Sequence, residues 1–466
     1  MLLLFIGLYL LLTILLGLWA SRKVHTTRDF VVAGRKMPML IAASALFATW
    51  FGSETILGST SAFLDGGLIA VVEDPFGAAL CLMLTGAFFA RKLYRLNILT
   101  FNDYYRNRYG PKTELVSALF MIPSYFGWIA AQLVAMAIIL QSIAGVPFLA
   151  GILLCTVVVL TYTVTGGMWS VSITDFVQTI MIIVGLVVLF LSLLSQSGGW
   201  QPVAASLPDG FFRFTPASNT HAWAHYLAAW ITIGLGSIPQ QDIFQRVMSA
   251  RSETAAVQSS WTSGFLYLTI GILPLAIVLT GRFLYPDLQV PDDQYFLPSL
   301  VLQHGSLWLQ VLFFGALLSA ILSTTSGAML APATVLGENI IRPRMKNLDD
   351  ADVLRIIRYS IVLVAVLSAI MASWRANIYE LVAESSALSL VSLFVPLTAG
   401  FYWKRARAEG AMLSMIGGMA VWLTCTFLDT AYPPLLFGLA ASISGMVIGS
   451  LWLSRGTSQQ QGMPIK

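Results

Sequence analysis

The sequence predicts an all-α polytopic membrane protein with thirteen transmembrane helices. Three observations point there. The 466-residue chain is 57% hydrophobic and only 10% charged, with a mean hydropathy of +0.79. Thirteen stretches reach the roughly 20 mostly apolar residues that a spanning helix needs. The Lys and Arg residues fall almost wholly in alternate loops between those stretches. An ordinary soluble domain carries about 25% charged residues, so this chain lacks the material for a charged skin over two or three water-facing domains. A soluble enzyme, a nucleic-acid binder and a disordered scaffold are set aside on that ground.

In order, the spans cover 1–21, 39–64, 67–90, 116–142, 147–165, 168–195, 221–240, 260–281, 305–337, 356–374, 377–402, 409–428 and 433–454. The first begins without a basic leader, has no small-residue cleavage site, and is followed at once by Arg22-Lys23. It reads as a retained helix rather than a secretory signal. The longest connection, 196–220, is rich in Gly, Pro and Ser, and the tail after Arg455 is short, polar and expected to be disordered. Cys81, Cys155 and Cys425 lie in apolar runs and read as small core hydrophobes.

Of the 26 Lys and Arg, 23 share one face of this arrangement, and only Arg213, Arg282 and Arg375 lie on the other. The basic face is cytoplasmic. That puts the N-terminus outside, the C-terminus inside, and the chain in the plasma (inner) membrane as a multi-pass protein. Arg358, at the start of the tenth span, is the one Lys or Arg that falls within the bounds of a span, so an Arg-rich voltage sensor is not expected. No GxxxxGK[ST] loop suggests ATP-driven pumping. His25, His221, His225 and His304 are scattered, with no HExxH, so an intramembrane enzyme is the least favoured class.

Polar groups at membrane depth are costly and are functional candidates. In the second span, Ala48-Thr49-Trp50-Phe51-Gly52-Ser53-Glu54-Thr55 favours local unwinding, because Gly disfavours helix and Ser and Thr compete for backbone bonds. Freed carbonyls are tolerable only beside a wet cavity or an ion; a kinked helix packed on small residues is the alternative. In the seventh span, Gly234-Leu235-Gly236-Ser237-Ile238-Pro239-Gln240-Gln241-Asp242 predicts a second break, or simply a helix end at Pro239. Breaks at matching positions of two halves point to inverted-repeat transporters with a solute held between them. In the ninth span, Ala320, Ser323 and Thr324 share a helix face and offer neutral oxygens to a hard cation such as Na⁺. Ser and Thr in membrane helices more often bond back to the backbone. Asp175, inside the sixth span, wants a cation, a proton or donors. Glu73 and Asp74 in the third span must point in different directions, and Glu384 sits in the eleventh. Trp223, Trp374, Trp403 and Trp452 fit an interface belt. Trp50 and Trp128 lie beside the first break, where their faces could hold an ammonium group by cation–π attraction with Glu54 adding charge.

The chain resembles the solute/sodium symporter family over nearly its whole length. The resemblance rests on Gly34-Arg35-Lys36, Ala48-Thr49-Trp50, Thr165-Gly166-Gly167-Met168-Trp169-Ser170-Val171 with Thr174-Asp175-Phe176-Val177-Gln178, Phe244-Gln245-Arg246, and Ser319-Ala320-Ile321-Leu322-Ser323-Thr324. Within it, the motifs are nearest the choline-transporter and proline-symporter branches. It implies a LeuT-type 5+5 inverted repeat core, one of the systems that exemplifies broken-helix transporters. It also implies a division into an extra N-terminal helix (1–30), two five-helix repeats (31–200 and 201–402), and two C-terminal helices with a short tail (403–466). The implied Na⁺ site uses carbonyls of Ala48, Phe51 and Ala320 with hydroxyls of Ser323 and Thr324. A possible second Na⁺ or proton falls to Asp175 and Ser326, although Gly327 stands where a further Ser is expected. Gln240 replaces an aromatic of the choline branch. The expected solute site comprises Trp50, Ser53, Glu54, Asp74, Trp128, Gln240 and Gln241. The expected activity is Na⁺-coupled symport by alternating access of a small polar organic solute, an amino acid or an amine or quaternary ammonium. A proton-coupled symporter or a non-transporting membrane solute sensor is the alternative. The partners are Na⁺, the small-molecule solute and the lipid bilayer, with no nucleic acid and no obligate protein partner.

Overall fold

A computed structural model of the chain describes residues 2–216, 219–345, 347–374 and 377–452. Lys346, Arg375, Arg455, Lys466 and the polar tail lie outside the described residues, as does the Thr165 side chain. Among the described residues the chain is all helical. Its one β feature is an isolated bridge between Met37 and Ala250.

Ten described helices are long and apolar enough to cross a membrane, and a bent pair, Met39–Trp50 with Glu54–Gly66, raises this to eleven. The other two expected spans are helical but shorter or merged. Thr220–Gly236 has 17 residues. The fifth and sixth spans run together as Phe148–Gln196, broken at Gly167, whose φ of 53° suits a residue without a Cβ. The long connection before the seventh span carries its own short helix, Trp200–Ala205. Phe211 of this connection meets Phe63 with centroids 5.1 Å apart, and the Phe211 carbonyl accepts from Leu68 N at 3.0 Å.

The outer helices present apolar side chains to their surroundings: Leu4, Leu12, Leu153 and Phe265 are exposed, as lipid contact permits. The first helix, Leu2–Ser21, is fastened to the bundle by polar contacts. Ser170 Oγ donates to Gly17 O at 2.6 Å, and Ser319 Oγ bonds Tyr9 Oη. Trp223, Trp374 and Trp452 are exposed, while Trp403 is partly buried against the core. Cys81 and Cys155 are buried and Cys425 is half-buried.

One expectation about charge needs correcting. Arg246 was grouped with the loop cations that set topology. The structure buries it to 1% exposure on the helix Gln241–Ser249. That helix continues the seventh span beyond its break, and it is too polar to register as apolar sequence.

Candidate functional site

The helix Met39–Trp50 ends at Phe51, whose ψ is 72°. The chain resumes as a wide turn, Glu54–Gly58, and the helix Ser59–Gly66, with a 51° bend between the halves. Gly52 sits in the gap because nothing larger fits. A Cβ there would lie 2.8 Å from both Gln132 Oε1 and Glu54 Oε2 and 3.0 Å from Thr324 Oγ1. The break frees backbone groups, and three other helices take them up. Gln132 Oε1 accepts from Ser53 N at 3.0 Å. Thr324 Oγ1 donates to Ala48 O at 3.0 Å. Tyr267 Oη donates to Trp50 O at 2.6 Å.

Two of these contacts mark a cluster of oxygens behind the break. Ala320, Ser323, Thr324 and Ser326 are fully buried on the helix Leu307–Val335. Ser323 Oγ bonds the Asp175 carboxylate, which is itself fully buried. Asp175 Oδ2 has no hydrogen-bond partner, nor does either amide atom of Gln178 one turn along. Ser326 Oγ bonds back to Ser323 O at 2.9 Å, the ordinary role of a helix hydroxyl. The donor set is therefore neutral carbonyls and hydroxyls with one carboxylate at the edge, which suits a hard monovalent cation better than a soft or transition metal. Arg246 lies nearby. Its Nε donates to Ala45 O at 3.1 Å and its Nη1 to Asp242 O at 3.1 Å, and its field reaches Asp175 and Asp242. Gly327 leaves room for Arg246 Nη2, which a Cβ at that position would strike.

In front of the break lies a cavity of about 330 Å³, lined by Trp50, Glu54, Asp74, Trp128, Gln240 and Tyr267 among others. The Glu54 carboxylate accepts from Trp128 Nε1 at 3.0 Å and from Gln132 Nε2 at 2.7 Å. Asp74 Oδ2 accepts from Thr55 Oγ1 at 2.9 Å, with the Tyr267 hydroxyl at 3.2 Å. Asp74 reaches the cavity because the third span is itself broken there. Its φ of −142° and ψ of 123° leave the helix just before Pro75. The Trp50 and Trp128 rings stand nearly perpendicular, with centroids 6.4 Å apart.

The second break supplies the opposite wall. Thr220–Gly236 ends, and the chain turns through Ser237-Ile238-Pro239 before Gln241–Ser249 begins. Ser237 Oγ and Ser386 Oγ are 3.0 Å apart across the cavity wall. Asp242, just past this break, ties the two halves together. It accepts from Trp50 Nε1 at 2.8 Å and from Tyr125 Oη at 2.6 Å.

Of the expected solute residues, Trp50, Glu54, Asp74, Trp128 and Gln240 line the cavity. Ser53 contributes its backbone N–H to Gln132, and its buried hydroxyl has no partner. Gln241 faces elsewhere, accepting from Phe101 N at 2.6 Å. Glu384 is exposed, while its neighbours Ser385 and Ser386 turn into the cavity. Sequence reasoning passed over Gln132, Tyr267, Asp242, Tyr125 and Ser237. Gln132 had a signal, an amide one turn after Trp128 on the same helix face. Tyr267 had none, since a tyrosine in a span reads as packing.

The chain matches the family model described as "Sodium:solute symporter family" over residues 30–418. It is 27% identical to the high-affinity choline transporter 1 of Caenorhabditis elegans, over 89% of this chain and 76% of that one. It is 25% identical to the sodium/pantothenate symporter of Escherichia coli K12, over 95% of both. A solved Na⁺-coupled sialic acid symporter, substrate-bound and outward-open, superposes with a TM-score of 0.81 at 19% identity, over 96% of each chain. That likeness is one of fold, and the fold is LeuT-like.

Proposed function

Because the chain belongs to the sodium:solute symporter family, a family of multi-pass transporters and not of enzymes, we propose that it carries a small polar organic solute together with Na⁺ by alternating access. We further propose the finer architecture expected from the sequence: thirteen spans, N-terminus outside, C-terminus inside, two five-helix repeats, in the plasma (inner) membrane. Na⁺ would bind the carbonyls of Ala48, Phe51 and Ala320 and the hydroxyls of Ser323 and Thr324. The observation that carries this reading is the Thr324 hydroxyl meeting the Ala48 carbonyl at 3.0 Å. A cation there would bridge the first broken helix and the Leu307–Val335 helix. Solute would bind between the two breaks.

Coupling follows if Na⁺ and solute both favour the arrangement in which these helices stay together. Separating the two helices would pull hydroxyls from carbonyls, weaken the ion site and release both. The membrane potential supplies about 2.3 kcal/mol per charge per 100 mV. A tenfold Na⁺ gradient adds about 1.4 kcal/mol. One Na⁺ then sustains roughly a several-hundredfold solute gradient.

The test is Na⁺-dependent thermal stabilisation and proteoliposome uptake, comparing wild type with Ser323→Ala/Thr324→Ala. Loss of the sodium response is expected. An unchanged response would refute the site. A second reading has one observation in its favour: the buried Asp175, with Oδ2 unpartnered, could carry a proton or a second Na⁺ with Ser326. Uptake that follows ΔpH in Na⁺-free buffer would establish the proton.

A further inference from the structure

We propose that the solute is a small organic cation that carries N–H donors and no carboxylate: a protonated amine or a guanidine. This rests on the symport reading above and names its solute class. The ground is the balance of donors and acceptors around the cavity. Two carboxylates, Glu54 and Asp74, line it, and its lining holds no Lys or Arg.

Most of the neutral donors that could receive an anion are already committed. Trp128 Nε1 and Gln132 Nε2 hold Glu54. Thr55 holds Asp74. The single Tyr267 hydroxyl proton is divided between Trp50 O and Asp74. Trp50 Nε1 goes to Asp242. Of the Ser237 and Ser386 hydroxyls one donates to the other, which leaves a single hydroxyl proton between them, and Ser385 Oγ bonds back to Leu381 O at 2.9 Å. Gln240 keeps a loosely held amide, 3.5 Å from Ser389 Oγ, and this amide with the one serine proton suits a neutral acceptor. A solute carboxylate would face two carboxyl groups and no cation, with too few free donors to replace its water.

A cation meets the opposite situation. An ionised carboxylate offers about four lone-pair sites, and Glu54 and Asp74 each use only part of theirs. N–H groups on the solute would complete them as charge-assisted bonds. The rings of Trp50 and Trp128 would face the cation's apolar flank. A quaternary ammonium could use the rings but would leave the carboxylate lone pairs unfilled.

The experiment uses the full chain in proteoliposomes and pairs of compounds that differ only by a carboxylate: cadaverine with lysine, putrescine with ornithine, agmatine with arginine, ethanolamine with serine. Choline serves as the cation without N–H and pantothenate as the anion. At least one amine should enter in a Na⁺-dependent manner, at least tenfold better than its amino acid and better than choline. Glu54→Gln and Asp74→Asn should each lower that uptake at least tenfold. Both variants should keep the Na⁺-induced thermal shift, which shows them folded. The inference falls if an amino acid, pantothenate or choline outcompetes the amines, if no amine of the panel enters, or if both variants transport like wild type. If these occur while Na⁺ still stabilises the wild type, only the solute class is wrong. If Na⁺ neither stabilises the protein nor drives any flux, the symport reading fails first.

Discussion

At the first break, between Trp50 and Glu54, side chains from three other helices take up the freed backbone groups. At the second, between Gly236 and Gln241, the chain closes mostly on itself, with Tyr125 Oη accepting from Asp242 N at 2.9 Å just beyond it. Ser237 N bonds Ile233 O at 3.4 Å, Ile238 N bonds Leu235 O at 3.2 Å, and Gln240 N bonds Ser237 O at 3.3 Å. Pro239 has no N–H to orphan. The two runs look alike on paper, each a polar, glycine-bearing interruption of an apolar helix. Their physics differs. An opening held by distant side chains depends on where those helices stand, so it can respond to a bound ion. A self-satisfied turn is a rigid corner whose contribution is the side chains it displays: Ser237, Gln240 and Asp242.

The contrast can be broken experimentally. The largest effect is expected for Ser323→Ala/Thr324→Ala. Hydrogen bonds to charged groups are worth about 1.5–3 kcal/mol each, so removing two oxygens that would face a cation should weaken apparent Na⁺ affinity roughly hundredfold. Na⁺ titration of uptake measures it, and a change below about threefold would detach these hydroxyls from the ion.

Gly52→Ala comes next. Its methyl would press within 2.8 Å of Gln132 Oε1 and Glu54 Oε2, and overpacking of this kind costs about 1–3 kcal/mol. Transport should drop roughly tenfold, with Na⁺ and solute affinities falling together. If only one falls, the glycine does not join the two sites.

Tyr267→Phe removes the hydroxyl that holds the Trp50 carbonyl and leaves that acceptor to other partners. A loss of about 1 kcal/mol predicts a few-fold rise in the solute concentration for half-maximal uptake. An unchanged value would mean the first break holds without it.

The smallest effect belongs to the second break. Gly234→Ala places its methyl 3.4 Å from Leu80 Cδ2, an ordinary contact, and adds helix preference of about 1 kcal/mol. Transport should match wild type, and the melting temperature should hold or rise slightly. If Gly234→Ala harms uptake as much as Gly52→Ala, the asymmetry between the breaks is wrong.

Much of this was legible in the residues. Hydropathy located the long apolar helices, because a segment's apolar length is a local property. Gly52 and Pro239 announced where helices would stop, because helix preference is local too. The pairing of Ser323 with Asp175 lay 148 residues apart and could not be read from either motif alone. Arg246 was misread for a related reason. A polar amphipathic helix following a break resembles a cytoplasmic loop until its neighbours are known.

The sequence by itself determined that this protein lives in lipid, roughly where its long apolar helices run, and which polar residues within them had to be accommodated at depth. Tertiary structure alone decided what satisfies those residues. It set Gln132 and Trp128 on Glu54, Tyr267 and Thr55 near Asp74, and Thr324 on Ala48. The reason is that burial obliges each polar group to find a partner, while the identity of that partner depends on which helices the fold brings within about 3 Å.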